Sequence, residues 1–164
     1  MKRTWAEVDF DKLAHNYHAL RGLAPAGTKY LGLVKADAYG HGAVPVAKKL
    51  EELGADYLGV ACLDEAIEVR EAGVKTPILI LGCTSSIYAA ELVKYNITQA
   101  CYDLEYAKEL SAGAQKAGGT ITVHIQCDTG MTRLGFMCHE DTMEKSASEI
   151  IEAVKLPGLK AEGI

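Results

Sequence analysis

The chain has 164 residues, of which 49% are apolar and 24% charged, with a formal net charge of -5. That is enough for one domain with a sizeable core, and the acidic balance without a basic run argues against nucleic acid or an anionic membrane as partner. No segment reaches the roughly 18 consecutive apolar residues of a membrane helix, and the charged N-terminus lacks the apolar run of a signal peptide, so a cytoplasmic location is expected.

Residues 5–10 form a short alternating run, and residues 11–22 read as a helix with Asp11 as its N-cap. A strand is expected at 28–34 and a helix at 44–53, stopped by Gly54. The next strand, 57–61, leads into a helix over 63–72 stopped by Gly73. A third strand at 77–81 precedes a helix at 86–94. A fourth strand at 97–101 precedes a helix at 104–116, ended by Gly118 and Gly119. A fifth strand at 120–127 is followed by a helix at 141–154, and 159–164 begins a sixth strand. Short β-branched runs alternating with helices of ten to fifteen residues imply βα units and a parallel sheet.

Two α/β architectures fit this alternation. A doubly wound sheet would be complete with five or six strands, whereas a (β/α)8 barrel needs eight strands and about 250 residues. The chemically unusual residues fall just after strands, where barrels place their chemistry, and neither GxGxxG nor a P-loop follows any strand. The barrel is therefore expected. Residues 1–164 would be its N-terminal part, about six of eight strands, with no internal domain boundary.

The first unusual residue is Lys35, which closes the apolar segment Tyr30-Leu31-Gly32-Leu33-Val34. Burying a lysine there is costly unless its amine is used, and a Schiff-base lysine holding an aldehyde cofactor explains it economically. The bland alternative is an amine that snorkels to water. Gly40 and Gly42 favour a tight turn or close approach of the backbone to a ligand, and Tyr39 offers a phenol suited to a phosphate oxygen. His41 is expected to cap or pack the following helix.

The second cluster is Gln126-Cys127-Asp128-Thr129-Gly130-Met131-Thr132-Arg133-Leu134-Gly135, after the fifth strand. Arg133 offers a planar fork of donors matching a carboxylate or phenolate. Asp128 reads as a structural cap rather than an acid. His15 and His18 have metal-ligand spacing but no third ligand near in sequence, so no metal site is expected. The five cysteines are odd in number and form no CxxC pair, which excludes a disulfide framework. The first four are expected as small buried thiols near strand ends. Glu65, Glu68 and Glu71 read as a solvated helix face, and Tyr57 and Tyr88 as packing residues.

These clusters resemble the alanine racemase family. Residues Val34-Lys35-Ala36-Asp37-Ala38-Tyr39-Gly40-His41-Gly42 are similar to its pyridoxal-phosphate lysine signature. Thr4-Trp5-Ala6-Glu7-Val8-Asp9, and Asp128-Thr129-Gly130-Met131 with Arg133-Leu134-Gly135, follow in the family's order. The resemblance implies a fold-type III pyridoxal 5'-phosphate enzyme with a lead (β/α)8 barrel, a second, mostly β domain absent from this chain, and a homodimeric active form. It implies that Lys35 carries the cofactor and acts as the base on the D-alanine side, with a tyrosine of a second subunit serving the L side. Tyr39 would bind the cofactor phosphate, and Arg133 the substrate carboxylate and the cofactor's phenolic oxygen.

The implied function is interconversion of L- and D-alanine for peptidoglycan synthesis, with residues 1–164 alone inactive. Two departures stand out. Gln126 occupies the place of a lysine that many members carbamylate to steady the arginine, and could hydrogen-bond Arg133 directly. Thr132 stands where glycine is common. The first leaves serine or a broader amino-acid range as an alternative. A non-catalytic pyridoxal-phosphate barrel and an anion-binding α/β module using Arg133 are the competing readings.

Overall fold

The computed structural model describes residues 3–164. After helix α1 (Phe10–Leu23), strands and helices alternate: β1 (Leu31–Leu33), α2 (Lys35–Gly40), α3 (Ala43–Glu52), β2 (Tyr57–Val60), α4 (Leu63–Glu71) and β3 (Ile78–Ile80). A 3-10 turn (Ser86–Tyr88) runs into α5 (Ala89–Tyr95), then β4 (Thr98–Cys101), α6 (Leu104–Lys116) and β5 (Ile121–Ile125). A two-strand excursion, β6 (Cys127–Asp128) and β7 (Phe136–Met137), precedes α7 (Met143–Ala153) and β8 (Leu159–Gly163).

The main sheet has six parallel strands in the order β1-β2-β3-β4-β5-β8. Strand order follows chain order without reversal. A doubly wound sheet reverses its strand order at a switch point, and this sheet has none, so that alternative is excluded. An open sheet in sequential order, with its helices between strands, is an incomplete (β/α)8 barrel.

The core lies between the sheet and its helices. Leu58, Val60, Ile78 and Ile80 are fully buried there, facing Val46, Ala47, Ala66, Val69, Leu92 and Leu110 from the helices. On the barrel's inner face, the missing side chain of Gly59 makes room for its neighbours, since a Cβ there would lie 2.6 Å from Leu33 Cδ2 and 2.8 Å from Leu31 Cδ2. The α6 stop has a hydrogen-bonded cause: Gly119 N–H donates to Ala114 and Gly118 N–H to Gln115, both at 3.0 Å, the crossed pair of a Schellman cap.

At the amino ends of the strands, two half-buried polar anchors hold the layers together. Arg70 donates to the carbonyls of Val74, Tyr95, Thr76 and Asn96 at 2.8 to 3.1 Å. Glu51 accepts the Lys75 and Thr76 N–H groups, both at 2.6 Å, and the Thr76 hydroxyl at 2.8 Å. Burial opposes the ionised form of Glu51, but the Thr76 and Lys75 donors and the nearby Arg70 charge outweigh it and hold its pKa down.

Several sequence expectations need correction. The N-cap of α1 is Asp9, not Asp11: its carboxylate accepts from Asp11 N and Lys12 N at 3.0 and 3.1 Å. The alternating run at residues 5–10 is irregular up to Phe10, which opens α1, and Trp5 is exposed. Residues 28–30 stay outside β1, since Tyr30 N–H donates to the Asp56 carboxylate at 2.7 Å. Tyr88 is exposed rather than packed, while Tyr57 is half-buried and donates to Glu162 at 3.1 Å. Cys62 and Cys83 are exposed at the carboxyl rim, two and three residues past the ends of β2 and β3, and Cys127 is half-buried; Cys101 is buried.

Candidate functional site

Lys35 stands half-buried at the carboxyl end of β1 and opens α2. The segment after it is left-handed. Ala36, Asp37, Ala38 and Tyr39 have φ of 50, 53, 49 and 54°, and Gly40 follows at 86°. Left-handed helical backbone costs an L-residue roughly 1–2 kcal/mol, so a four-residue run persists only when its surroundings over-determine it.

Those surroundings are specific. Ala38 N–H donates to Val34 O at 3.0 Å, and Gly42 N–H to Asp37 O at 3.0 Å. Asp37 Oδ1 accepts from Ala43 N at 2.7 Å, tying the turn to the start of α3, and His41 Nδ1 meets Ala38 O at 2.9 Å. Glu65 reaches in from α4: its carboxylate accepts from Ala36 N at 2.8 Å and from Ala61 N at 2.7 Å. Glu65 is thus a brace of the Lys35 turn and not part of a solvated face. Tyr39 leaves this turn with 62% of its surface exposed, so its phenol is free to meet a ligand at the rim.

Arg133 lies in the loop between β6 and β7, which Asp128 organises. The buried Asp128 carboxylate accepts from Gly130 N and Thr132 N through Oδ1, both at 2.9 Å, and from Arg133 N through Oδ2 at 3.1 Å. The Thr132 N–H first, then those of Gly130 and Arg133, hold its pKa below the ordinary carboxylate value against the opposing effect of burial. Where the two ends of the loop cross, Gly135 passes so closely that a Cβ would fall 2.6 Å from Asp128 N and 2.8 Å from Gln126 O. Thr132 adopts φ 56°, the left-handed region, with a β-branched side chain.

Gln126 does not use its amide nitrogen on Arg133. That nitrogen donates to Leu134 O at 3.1 Å, across the neck of the loop. The Arg133 side chain is exposed and forms no hydrogen bond or ion pair among the described residues. Lys35 follows β1 directly and Arg133 lies in the loop beyond β5, so both are on the carboxyl side of the same sheet. A cavity of about 510 Å³ lies under α1, lined by Asn16, Tyr17, Leu33, His41 and Leu50 among others, and includes none of Lys35, Tyr39 or Arg133.

The rim offers a primary amine, a phenol and a guanidinium, each on backbone fixed by carboxylates. This donor set fits an aldehyde-bearing phosphate ester: the amine condenses with an aldehyde, the phenol donates to a phosphate oxygen, and the guanidinium matches a carboxylate or phenolate. The sequence motifs pointed to Lys35, Tyr39 and Arg133. They did not reveal Glu65, whose position two residues into α4 resembles a helix-capping glutamate and so carried a local signal.

Comparison with known proteins accords with this geometry. The profile of the family described as alanine racemase, N-terminal domain, matches residues 8–164. Alanine racemase 1 of Caldanaerobacter subterraneus subsp. tengcongensis is 42% identical over 164 residues, all of this chain and 41% of that protein. The alanine racemase of Desulfovibrio desulfuricans is 45% identical over 155 residues, 94% of this chain and 42% of that protein. Among solved structures, alanine racemase of Clostridium difficile 630 superposes with a TM-score of 0.93 at 42% identity, covering 99% of this chain and 42% of that one. This chain thus spans about two fifths of the length of the relatives it matches. From residue 8 onward it belongs to the alanine racemase N-terminal domain family.

Proposed function

We propose that residues 1–164 are the N-terminal part of the cofactor-bearing barrel domain of an alanine racemase, which interconverts L- and D-alanine with pyridoxal 5'-phosphate. The observation that carries this reading is Lys35 at the carboxyl end of β1, heading a left-handed turn that also presents Tyr39, in a chain of this family. Alanine is the preferred substrate because the relatives at 42–45% identity are alanine racemases.

When bound, pyridoxal phosphate supplies an aldehyde and an electron-withdrawing ring that stabilises negative charge at the α-carbon of an amino acid. Lys35 Nζ would hold the cofactor and would take or return the α-proton on one face. Tyr39 donates its hydroxyl to the phosphate. Arg133 orients the substrate carboxylate and the phenolic oxygen of the cofactor. The Asp128 carboxylate fixes the Arg133 backbone, so the guanidinium starts from a defined place. Removing the proton on one face and returning it on the other gives the opposite enantiomer. The resemblance supports a homodimer, with a tyrosine of the second subunit serving the opposite face.

D-alanine made this way would feed cell-wall synthesis in the cytoplasm. The unpaired cysteines fit a reducing compartment, and no helix among the described residues is long and apolar enough to cross a membrane. The test is D-alanine formation from L-alanine by the intact protein with pyridoxal phosphate, run beside Lys35→Ala and with L-serine as a competing substrate. Formation lost in the variant supports the reading; formation equal in both rejects it.

A further inference from the structure

The geometry points to Glu65 as the positioning residue for Lys35, an assignment that rests on the cofactor reading above. The left-handed run after Lys35 begins at Ala36, whose φ is rotation about the N–Cα bond of the amide that Glu65 holds. Fixing that amide at 2.8 Å fixes the plane of the Lys35–Ala36 peptide, and with it ψ of Lys35. The other Glu65 oxygen takes Ala61 N at 2.7 Å, just past the end of β2. One carboxylate therefore ties the carboxyl ends of two adjacent strands, each oxygen used once.

The other ties on the turn come from close by in the chain. The Ala38–Val34, Gly42–Asp37 and His41–Ala38 contacts are internal to it, and Asp37–Ala43 joins it only to the next helix. Among the described residues, Glu65 alone of the side chains bound to the turn comes from another βα unit, on a helix whose Leu63, Ala66 and Val69 are buried in the core. It references the turn to the rigid body of the sheet. Without it, Ala36 is free to relax toward right-handed backbone. That would swing the Lys35 amine and the Tyr39 phenol away from a common ligand.

The test uses the intact protein, with Glu65→Ala, Glu65→Gln and Lys35→Ala beside the wild type. Two readouts follow pyridoxal phosphate: its dissociation constant from visible absorbance, and the pH midpoint of the Lys35-dependent absorbance band. A third needs no cofactor: amide hydrogen exchange at Ala36 and Ala61. The expected result for Glu65→Ala is weaker retention by about tenfold, the scale of one lost charge-assisted hydrogen bond, a displaced midpoint, and faster exchange at both amides. Gln keeps one acceptor oxygen and should fall between Ala and the wild type, as a purely space-filling role would not require. Wild-type affinity, midpoint and exchange in Glu65→Ala overturn the assignment. If that variant does not fold, wild-type values in Glu65→Gln overturn it instead. Absence of a Lys35-dependent band in the wild type rejects the cofactor reading, whereas unchanged Ala36 exchange rejects the brace alone.

Discussion

Gln126 donates its side-chain amide to the carbonyl of Leu134 at 3.1 Å, and so closes the neck of the loop that carries Arg133. Gln126 is thus a loop staple in this chain. Its function is to donate, which a carboxylate of the same shape cannot do. Gln126→Glu leaves the Leu134 carbonyl without that donor and sets two acceptors against each other. The expected loss is about 1 kcal/mol, measured by urea unfolding. A variant more stable than the wild type would mean that the new charge pairs with Arg133 strongly enough to reverse the effect.

Asp128 gives this loop a pH dependence of defined sign. Its folded pKa lies below the unfolded value near 3.9, so its contribution is complete above that value and is lost as pH falls through the lower folded pKa. Asp128→Asn removes the charge and should flatten that part of the acid unfolding curve. Amide exchange at Gly130, Thr132 and Arg133 should quicken by roughly tenfold. Unchanged exchange at these amides would show that the carboxylate does not hold the loop.

Thr132 is held in left-handed backbone, where a β-branched residue is strained. Thr132→Gly removes that strain but gains chain entropy in the unfolded state and loses the hydroxyl bond to Met131 O at 2.8 Å. The expected net effect is a gain of up to about 1 kcal/mol, read as a rise in thermal midpoint. A loss of stability would show that the hydroxyl bond outweighs the strain.

The cysteines should separate by reactivity. Cys62 and Cys83 are exposed at the carboxyl rim, whereas burial, with the Asp103 charge second, pushes the Cys101 thiol up to about 12. Iodoacetamide at mildly alkaline pH should label the first two at least roughly a hundredfold faster than Cys101, as peptide mapping would show. Pyridoxal phosphate bound on the same rim should slow labelling of Cys83 if the site extends across β3.

The βα alternation was legible because glycines end most of the helices, and the barrel because the unusual residues fall just after strands. Gly118 and Gly119 ended α6 by the hydrogen bonds that a glycine pair favours, and the apolar run Ile78-Leu79-Ile80 could only be a doubly buried strand. Lys35, Tyr39 and Arg133 were legible as motif residues after strands. Glu65, Arg70 and Glu51 were not, because each also binds backbone of another βα unit that approaches it only after folding. Glu65 looked solvated because its neighbours Glu68 and Glu71 share the same helical spacing. The left-handed turn was equally hidden, since Ala36 and Ala38 are among the best formers of right-handed helix. Asp11 was mistaken for the cap because both it and Asp9 satisfy the composition rule, and only geometry shows which carboxylate precedes the first free amides.

The central claim is that the amine of Lys35 holds pyridoxal phosphate. The direct measurement is borohydride reduction of the intact protein mixed with pyridoxal phosphate, followed by peptide mass spectrometry. A stoichiometric phosphopyridoxyl adduct confined to Lys35, and missing from Lys35→Ala, is the predicted result. Adducts scattered over surface lysines, with Lys35 unmodified, would contradict it.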